Sequence, residues 1–279
     1  MKPTFTLLSL FTCLSLSVTA QRASLPYFDD FESGALGWTP YVDVACGTNW
    51  ELGTPNTGFT IGAYSGVNCW DVNLNSVYSN YAVCYLSSPI FDFTTVAQAH
   101  VSFWTKYYSE YLWDYMSVQY SVDKGDSWEY MPFPNLINPD GYVEKWIKSE
   151  LHVNNLYGYA AVQFRFVFVS DNSVAYDGYS IDDFRIEIDA LGAPEIDAHD
   201  QFTIYPNPSN GEVSLSFAAP LKPNSQLTVY DIVGKLVAAH ELSRLNADAF
   251  TISGLRSGTY TVVYRDNDTV YFKKLVVVD

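Results

Sequence analysis

The sequence is poor in positive charge, in histidine and in long apolar runs. Fifteen Lys and Arg stand against 31 Asp and Glu in 279 residues, a formal net charge of −16. Phosphate backbones and anionic lipid surfaces both demand a basic footprint, so a nucleic-acid binder and a polybasic membrane binder are excluded. Beyond residue 20 no stretch is long and apolar enough to span a bilayer. Only four His and four Cys occur. No His-Glu-x-x-His, Gly-x-Ser-x-Gly, Glu-x-Asp-x-x-Glu or EF-hand loop is present. The cysteines lack Cys-x-x-Cys spacing and have no His pair near them in sequence, which argues against zinc. What is abundant is apolar and aromatic: 48% hydrophobic and 16% aromatic residues, 22 of them Tyr. That content excludes wholesale disorder and leaves an acidic, aromatic-rich globular protein.

Residues 1–20 read as a secretory signal peptide. Lys2 is their only charge, residues 7–18 form the apolar run, and Val18-Thr19-Ala20 is a small-residue cleavage site. Cleavage between Ala20 and Gln21 is expected, with passage through the periplasm. In that oxidising setting Cys46, Cys69 and Cys84 are expected to form one disulfide and leave one thiol, with the pairing left open by the residues themselves.

After residue 24 helical periodicity is nearly absent. Strand-like runs at 101–104, 116–121, 162–169 and 184–188 are separated by Gly, Pro, Asn and Asp, the pattern of an all-β sandwich. Residues 191–201 are small, acidic and aperiodic, a linker. A leaner strand series follows at 213–217, 226–231, 249–252, 259–264 and 270–278. Two domains are therefore expected, at 25–190 and 202–279.

In the second domain four blocks occur in order: Tyr205-Pro206-Asn207-Pro208-Ser209-Asn210-Gly211, Tyr230-Asp231-Ile232-Val233-Gly234-Lys235, Leu255-Arg256-Ser257-Gly258-Thr259-Tyr260, and Phe272-Lys273-Lys274-Leu275. Read unaided, two prolines and the Asn210-Gly211 turn open a compact sandwich, Gly234 and Gly258 belong in hairpin turns that need positive φ, and Lys273-Lys274 is a basic pair in an acidic chain. Together the blocks resemble the type A C-terminal sorting domain of type IX secretion cargo, an Ig-like sandwich. The resemblance implies recognition by the outer-membrane translocon and a sorting protease, and a product secreted or attached to the outer surface of a Gram-negative bacterium. Asp279 departs from the basic or polar ending common in that family.

In the first domain, Phe28-Asp29-Asp30-Phe31-Glu32-Ser33-Gly34, Asn49-Trp50-Glu51-Leu52-Gly53, Val101-Ser102-Phe103-Trp104 and Tyr179-Ser180-Ile181-Asp182-Asp183-Phe184 resemble MAM-like jelly-roll modules, also described as choice-of-anchor or cleaved-adhesin type. Its two acidic clusters lie on the first and last strands, which often run side by side in a jelly roll. Carboxylates brought together that way repel unless something neutralises them, and a hard cation with oxygen ligands would do so. The resemblance points the same way: Asp30, Glu32, Asp182 and Asp183 are expected to hold a structural calcium ion. Ser121 to Trp128 match a single Asp-box, read as a hairpin in which Asp123 caps the turn and Gly125 takes positive φ. The aromatic block containing Trp104, Tyr107, Tyr108, Tyr111 and Trp113 is the candidate surface for an extracellular glycan or protein ligand, because alternation along a strand cannot bury every ring. Non-catalytic adhesion or ligand binding is the expectation. The rivals are a glycan-acting hydrolase with carboxylates from separate strands, and a structural surface protein whose ligand is calcium alone.

Overall fold

The structure, a computed structural model, describes residues 21–278 apart from 44–46, 57, 134–135, 137–140, 190–200, 243–248 and 267–268. The signal segment with Ala20, the linker except Gln201, Cys46 and Asp279 thus lie outside the described residues.

The first unit contains β1 (Arg22–Ala23), β2 (Tyr27–Asp29), β3 (Thr39–Val42), β4 (Trp50–Gly53), β5 (Cys69–Val72), β6 (Val83–Phe91), β7 (Ala99–Tyr108), β8 (Tyr115–Ser121), β9 (Glu129–Met131), β10 (Tyr142–His152), β11 (Val162–Val169) and β12 (Gly178–Ile188). One sheet runs β1-β6-β11-β8-β9 with β3 also on β6, the other β10-β7-β12-β5-β4 with β2 also on β12. Between them lies an aromatic core in which Phe103, Phe133, Phe166, Phe184 and Trp38 meet edge to face or stacked. Such pairs stabilise beyond the area they bury, by about 0.5–1.5 kcal/mol each. The unit begins earlier than residue 25, because Arg22 and Ala23 pair in parallel with Ile90 and Phe91 and Gln21 accepts from the Ile90 N–H at 2.8 Å. The chain's first strand thus fills an edge that the sequence pattern alone left unassigned.

The expected disulfide is corrected in part. Cys69, buried on β5, is a thiol and not bonded to Cys84, which is buried on β6 of the facing sheet.

The second unit contains β13 (Phe202–Tyr205), β14 (Glu212–Phe217), β15 (Gln226–Asp231), β16 (Leu236–Glu241), β17 (Ala249–Ser253), β18 (Gly258–Asp266) and β19 (Thr269–Val277). Its sheets are β13-β14-β17 and β16-β15-β18-β19 around a separate apolar core. In β14 exposure and burial alternate residue by residue, the period that a half-buried strand requires.

The two units touch. Met116 and Val118 of β8 point into the first core while Ser117 and Gln119 point out, and both polar residues are buried because the second unit's turn at 231–235 covers them. Ser117 Oγ donates to Val233 O at 3.1 Å and Gln119 Nε2 to Ile232 O at 2.8 Å. Tyr130 packs on Tyr230, and Lys274 pairs with Glu129 at 2.6 Å. A cavity of about 220 Å³ remains at this junction, lined among others by Leu112, Met116, Tyr230 and Leu236. Gly234 has φ 86°, as its turn position implied, and a Cβ there would stand 2.8 Å from Ser117 Cβ. The glycine is therefore needed twice, for the turn and for the close approach. Gly234→Val is expected to cost about 1–3 kcal/mol, read as a lower melting temperature of the full chain, with Gly254→Val as a comparison because no atom lies within 4 Å of a Cβ at Gly254 although its φ is also positive.

Candidate functional site

The outer face of the β10-β7-β12-β5-β4 sheet carries the candidate site. On β7 the odd positions Val101, Phe103, Thr105 and Tyr107 are buried inward, and His100, Trp104, Lys106 and Tyr108 face out. On β12 the alternation breaks between Asp182 and Arg185, where the pairing with β7 slips and Asp183 takes φ 48°. The doubled Asp is thus a β-bulge, one residue inserted so that Phe184 and Ile186 return to the core.

The strand that ends at Asp29 does run beside the last strand of the unit, since β2 pairs antiparallel with β12, Asp29 opposite Phe184. By contrast β1 pairs with β6 in the other sheet, and Asp30 and Glu32 lie in the turn after β2 rather than on a strand. Three of the four carboxylates expected to share a cation converge on one loop. Asp182 Oδ2 accepts from the Tyr64 and Ser65 N–H groups at 2.9 and 3.0 Å. Asp183 Oδ1 accepts from Ser65 Oγ at 2.7 Å, and Glu32 Oε1 from the Val67 and Asn68 N–H groups at 2.8 and 2.6 Å. Asp30 acts closer to home, accepting from the Glu32 N–H at 3.2 Å. Further along, Asp177 Oδ2 accepts from the Thr60 N–H at 2.6 Å, and Lys106 Nζ donates to Phe59 O at 3.0 Å. The described residues of loop 54–68 are thereby laid flat over the sheet. At Gly66, φ 59°, a Cβ would stand 2.5 Å from the Glu32 carboxyl carbon, so the latch closes only over glycine.

Burial sets the charge states. It raises Asp182 to about 7, against the N–H groups that pull it down, and raises Asp71 to about 7 as well. Glu32, exposed, is lowered by its two backbone donors. The Cys69 thiol is pushed far up by burial, with the charges of Asp71, Asp182 and Glu32 adding to it. Asp29 takes a different part: it is buried and accepts from Trp38 Nε1, Tyr27 Oη and the Phe31 N–H. Among the described residues none of Glu32, Asp71, Asp182 and Asp183 is paired with Lys, Arg or His. Glu32 and Asp182 instead accept from backbone N–H groups of the loop, and among the described residues no three of these carboxylates gather their oxygens within 4.8 Å of one another.

The aromatic candidates separate into three groups. Tyr107 is buried, stacked on Tyr179 at 4.7 Å, and belongs to the core; its assignment to a ligand surface is corrected, because it sits on the inward face of β7. Trp104 and Tyr108 face out but are partly roofed by the loop. Tyr64 stacks on Trp104 at 3.9 Å, and Phe59 lies 5.4 Å from Tyr108, which also stacks on Tyr176 at 4.1 Å. Tyr142 and Trp146 of β10 extend this row. Tyr111 and Trp113 are open to solvent, 54% and 61% exposed, on the turn between β7 and β8, with Leu112 between them 67% exposed.

The Asp-box forms the expected hairpin: Asp123 accepts from Ser121 Oγ, the Ser127 N–H and Ser127 Oγ, which lower it to about 2, and Gly125 has φ 93°. Trp128 and Tyr85 flank the Arg165 guanidinium at 4.1 and 4.6 Å.

In the second unit the Tyr205-to-Gly211 block straps the last strand. Asn207 donates to Lys274 O at 2.7 Å and accepts from the Val276 N–H at 2.9 Å, and Ser209 bonds Val276 and Val278. Tyr205 is exposed, Pro206 and Pro208 follow cis bonds, Asn210 is exposed and Gly211 has φ 101°. The Lys235 N–H donates to Asp231 at 2.9 Å, and Lys273 lies over Phe202 at 5.9 Å. Gly258 is a correction. Its φ is not positive; it opens β18, and the Tyr260 ring lies 3.5 Å from where a Cβ would be, with Tyr260 Oη donating to Arg256 O.

Two clusters had no local signal. His100, His152, Glu187 and Asp189 gather on one outer face from three strands and the residue after β12. Glu110, Asp114 and Asp171 place carboxylate oxygens within 4.8 Å of one another. Asp114 is buried and spent on Tyr78 Oη at 2.6 Å and the Asp171 N–H at 2.7 Å. Each cluster joins near neighbours, Glu187 with Asp189 and Glu110 with Asp114, to residues tens of positions away that the fold brings beside them.

Residues 203–278 match the secretion system C-terminal sorting domain family. Bacillopeptidase F of Bacillus subtilis (strain 168) is 31% identical over 168 residues, 60% of this chain and 11% of that protein, so the chain spans about a tenth of that relative's length. Among solved structures, the K1 cleaved adhesin domain of Lys-gingipain from Porphyromonas gingivalis W83 is 16% identical with a TM-score of 0.42, covering 59% of this chain and 99% of that one. The tandem CBM22 domain of Paenibacillus barcinonensis Xyn10C is 13% identical with a TM-score of 0.37, covering 92% and 87%. Among the described residues no helix is long and apolar enough to cross a membrane.

Proposed function

We propose that this chain, whose residues 203–278 are a secretion-system C-terminal sorting domain and which is therefore delivered to the cell surface or the extracellular space, displays in its first sandwich a non-catalytic surface for an extracellular glycan or protein. One observation carries the reading: Tyr111, Leu112 and Trp113 stand consecutively exposed on a tight turn, continuous in sequence with the outward Trp104 and Tyr108. Large rings held out on a rigid turn lose little entropy on binding and stack on sugar or protein surfaces. Export fits the type IX route, through its translocon and sorting protease. Glu32, Asp182 and Asp183, with Asp30 on the same turn as Glu32, would hold a structural calcium ion; bound there it would offset their uncompensated charge and fasten loop 54–68.

The hydrolase reading has one observation of its own, the Glu110–Asp114–Asp171 cluster beside that turn. Retaining glycosidases space their carboxyl groups about 5–5.5 Å apart with both facing the substrate. Asp114 is buried and already hydrogen-bonded at both oxygens, which favours a structural role in holding the turn. The test is the double variant Tyr111→Ala, Trp113→Ala on an array of glycans and extracellular proteins. Loss of about 2 kcal/mol or more of binding, roughly 30-fold, is expected with an unchanged melting temperature. Ligands bound equally by both forms would remove the turn from the site.

A further inference from the structure

We propose that His100, His152 and Asp189 form a binding site for a divalent transition-metal ion of the zinc type, with Glu187 orienting His100. The register builds it. His152 of β10 and Glu187 of β12 are the direct cross-strand partners of His100 on the middle strand β7, so all three side chains leave the same face of the sheet. Asp189 follows β12 and is tied back by its N–H to Gln98 O at 3.1 Å. One ligand atom from each of His100, His152 and Asp189 lies within 4.8 Å of the others.

The inner contacts divide the work. His100 Nε2 lies 2.8 Å from Glu187 Oε2 and its Nδ1 2.9 Å from Asp189 Oδ1. A carboxylate on one ring nitrogen fixes the tautomer and leaves the other nitrogen's lone pair for a metal, the usual outer partner of a metal-bound histidine. With Nε2–H given to Glu187, Nδ1 faces Asp189. His152 Nδ1 stands 3.6 Å from Asp189 Oδ2, and the two imidazoles meet edge to face at 5.7 Å. Zinc takes such ligands at about 2.0–2.2 Å, which sets two tetrahedral ligand atoms roughly 3.4 Å apart, so the His152–Asp189 pair at 3.6 Å already fits and the Asp189 carboxylate must draw back from His100 Nδ1, at 2.9 Å, to admit the ion. His152 is 67% exposed and free to follow. Two imidazoles and one carboxylate select a borderline ion over calcium, which prefers oxygen, and leave one position for water. The site lies apart from the Glu32–Asp182–Asp183 latch and needs no ligand on the aromatic turn. Its effect would be to pin β10, β7 and β12 together where the first sandwich ends.

The rival state is metal-free: His100 hydrogen-bonded between Glu187 and Asp189. Titration calorimetry of the exported full chain with Zn²⁺, at pH 7.5 in a non-coordinating buffer, separates the two. One saturable equivalent is expected, unaffected by millimolar Ca²⁺. His152→Ala, at an exposed position, should abolish it while leaving the melting temperature of the zinc-free protein unchanged. Glu187→Gln should weaken it about 10–100-fold. Absence of saturable zinc uptake, or equal uptake by wild type and His152→Ala, would overturn the proposal in favour of the metal-free hydrogen-bonded cluster.

Discussion

Deleting residues 203–278 is expected to abolish appearance of the protein outside the cell while leaving the first sandwich folded. The matched family supplies the first half of this expectation. The packing supplies the second, because each unit has its own buried core and they meet through Tyr130, Tyr230 and Val263, through Val270 and Phe272 of the second unit packed on the rim of the first core, and through the polar contacts of Ser117 and Gln119. Truncation uncovers that patch without opening the Phe103–Phe166–Phe184 core. Immunoblots of medium, cell surface and periplasm would locate the shortened chain, and its near-ultraviolet circular dichroism would report the aromatic packing. Extracellular levels equal to wild type would contradict the sorting role.

Asp182→Ala is expected to be the most damaging single change at the acidic latch. It strips acceptors from the Tyr64, Ser65 and Asp183 N–H groups, two of them on the loop. Leaving such donors unmet costs about 1–3 kcal/mol each where water cannot reach them, and about 3 kcal/mol overall corresponds to a melting temperature lower by roughly 6–12 °C. Asp182→Asn keeps an acceptor and should lose less. The same residue gives the pH dependence. Asp182 and Asp71 have folded values near 7 against an ordinary value of 3.8. Between those values the folded state holds protons that the unfolded chain has released. Their stabilisation is therefore fully present below about pH 4 and lost as pH rises through 7, by at most roughly 4 kcal/mol per group. In chelator the melting temperature should fall from pH 5 to pH 8. Calcium favours the ionised form, so adding it should flatten that slope and raise the pH 8 value. A melting temperature indifferent to both chelator and calcium would remove the ion from the latch and leave the hydrogen-bonded loop alone.

Much of the fold could be read from the sequence because strand alternation is a local property. The runs at 162–169 and 226–231 coincide with β11 and β15, and the Asp-box announced its own turn. The pairing of the Tyr27–Asp29 strand with the last strand of the unit was expected from jelly-roll connectivity, and the two-residue β1 ahead of it was not. What could not be read depends on which way a strand faces and on what is laid over it. Tyr107 and Tyr108 are neighbours of one type, yet one lies in the core and the other under Phe59. Loop 54–68 has no periodicity, so nothing in it announced that its backbone would spend its N–H groups on Glu32, Asp177 and Asp182. The second Asp of Asp182-Asp183 reads as added charge, but its geometric role is the bulge. Gly258 looked like a turn glycine and is a strand opener. His100 and His152 are 52 positions apart by their numbers and meet only through the β7–β10 register.

The most direct measurement immobilises the exported full chain, captures ligand from a mixed glycan and protein pool, and identifies what is eluted by mass spectrometry. Retention of a defined ligand, recovered chemically intact after prolonged contact and no longer retained by the Tyr111→Ala, Trp113→Ala form, is the predicted result. Recovery of cleaved product, or retention that ignores the aromatic turn, would contradict the account.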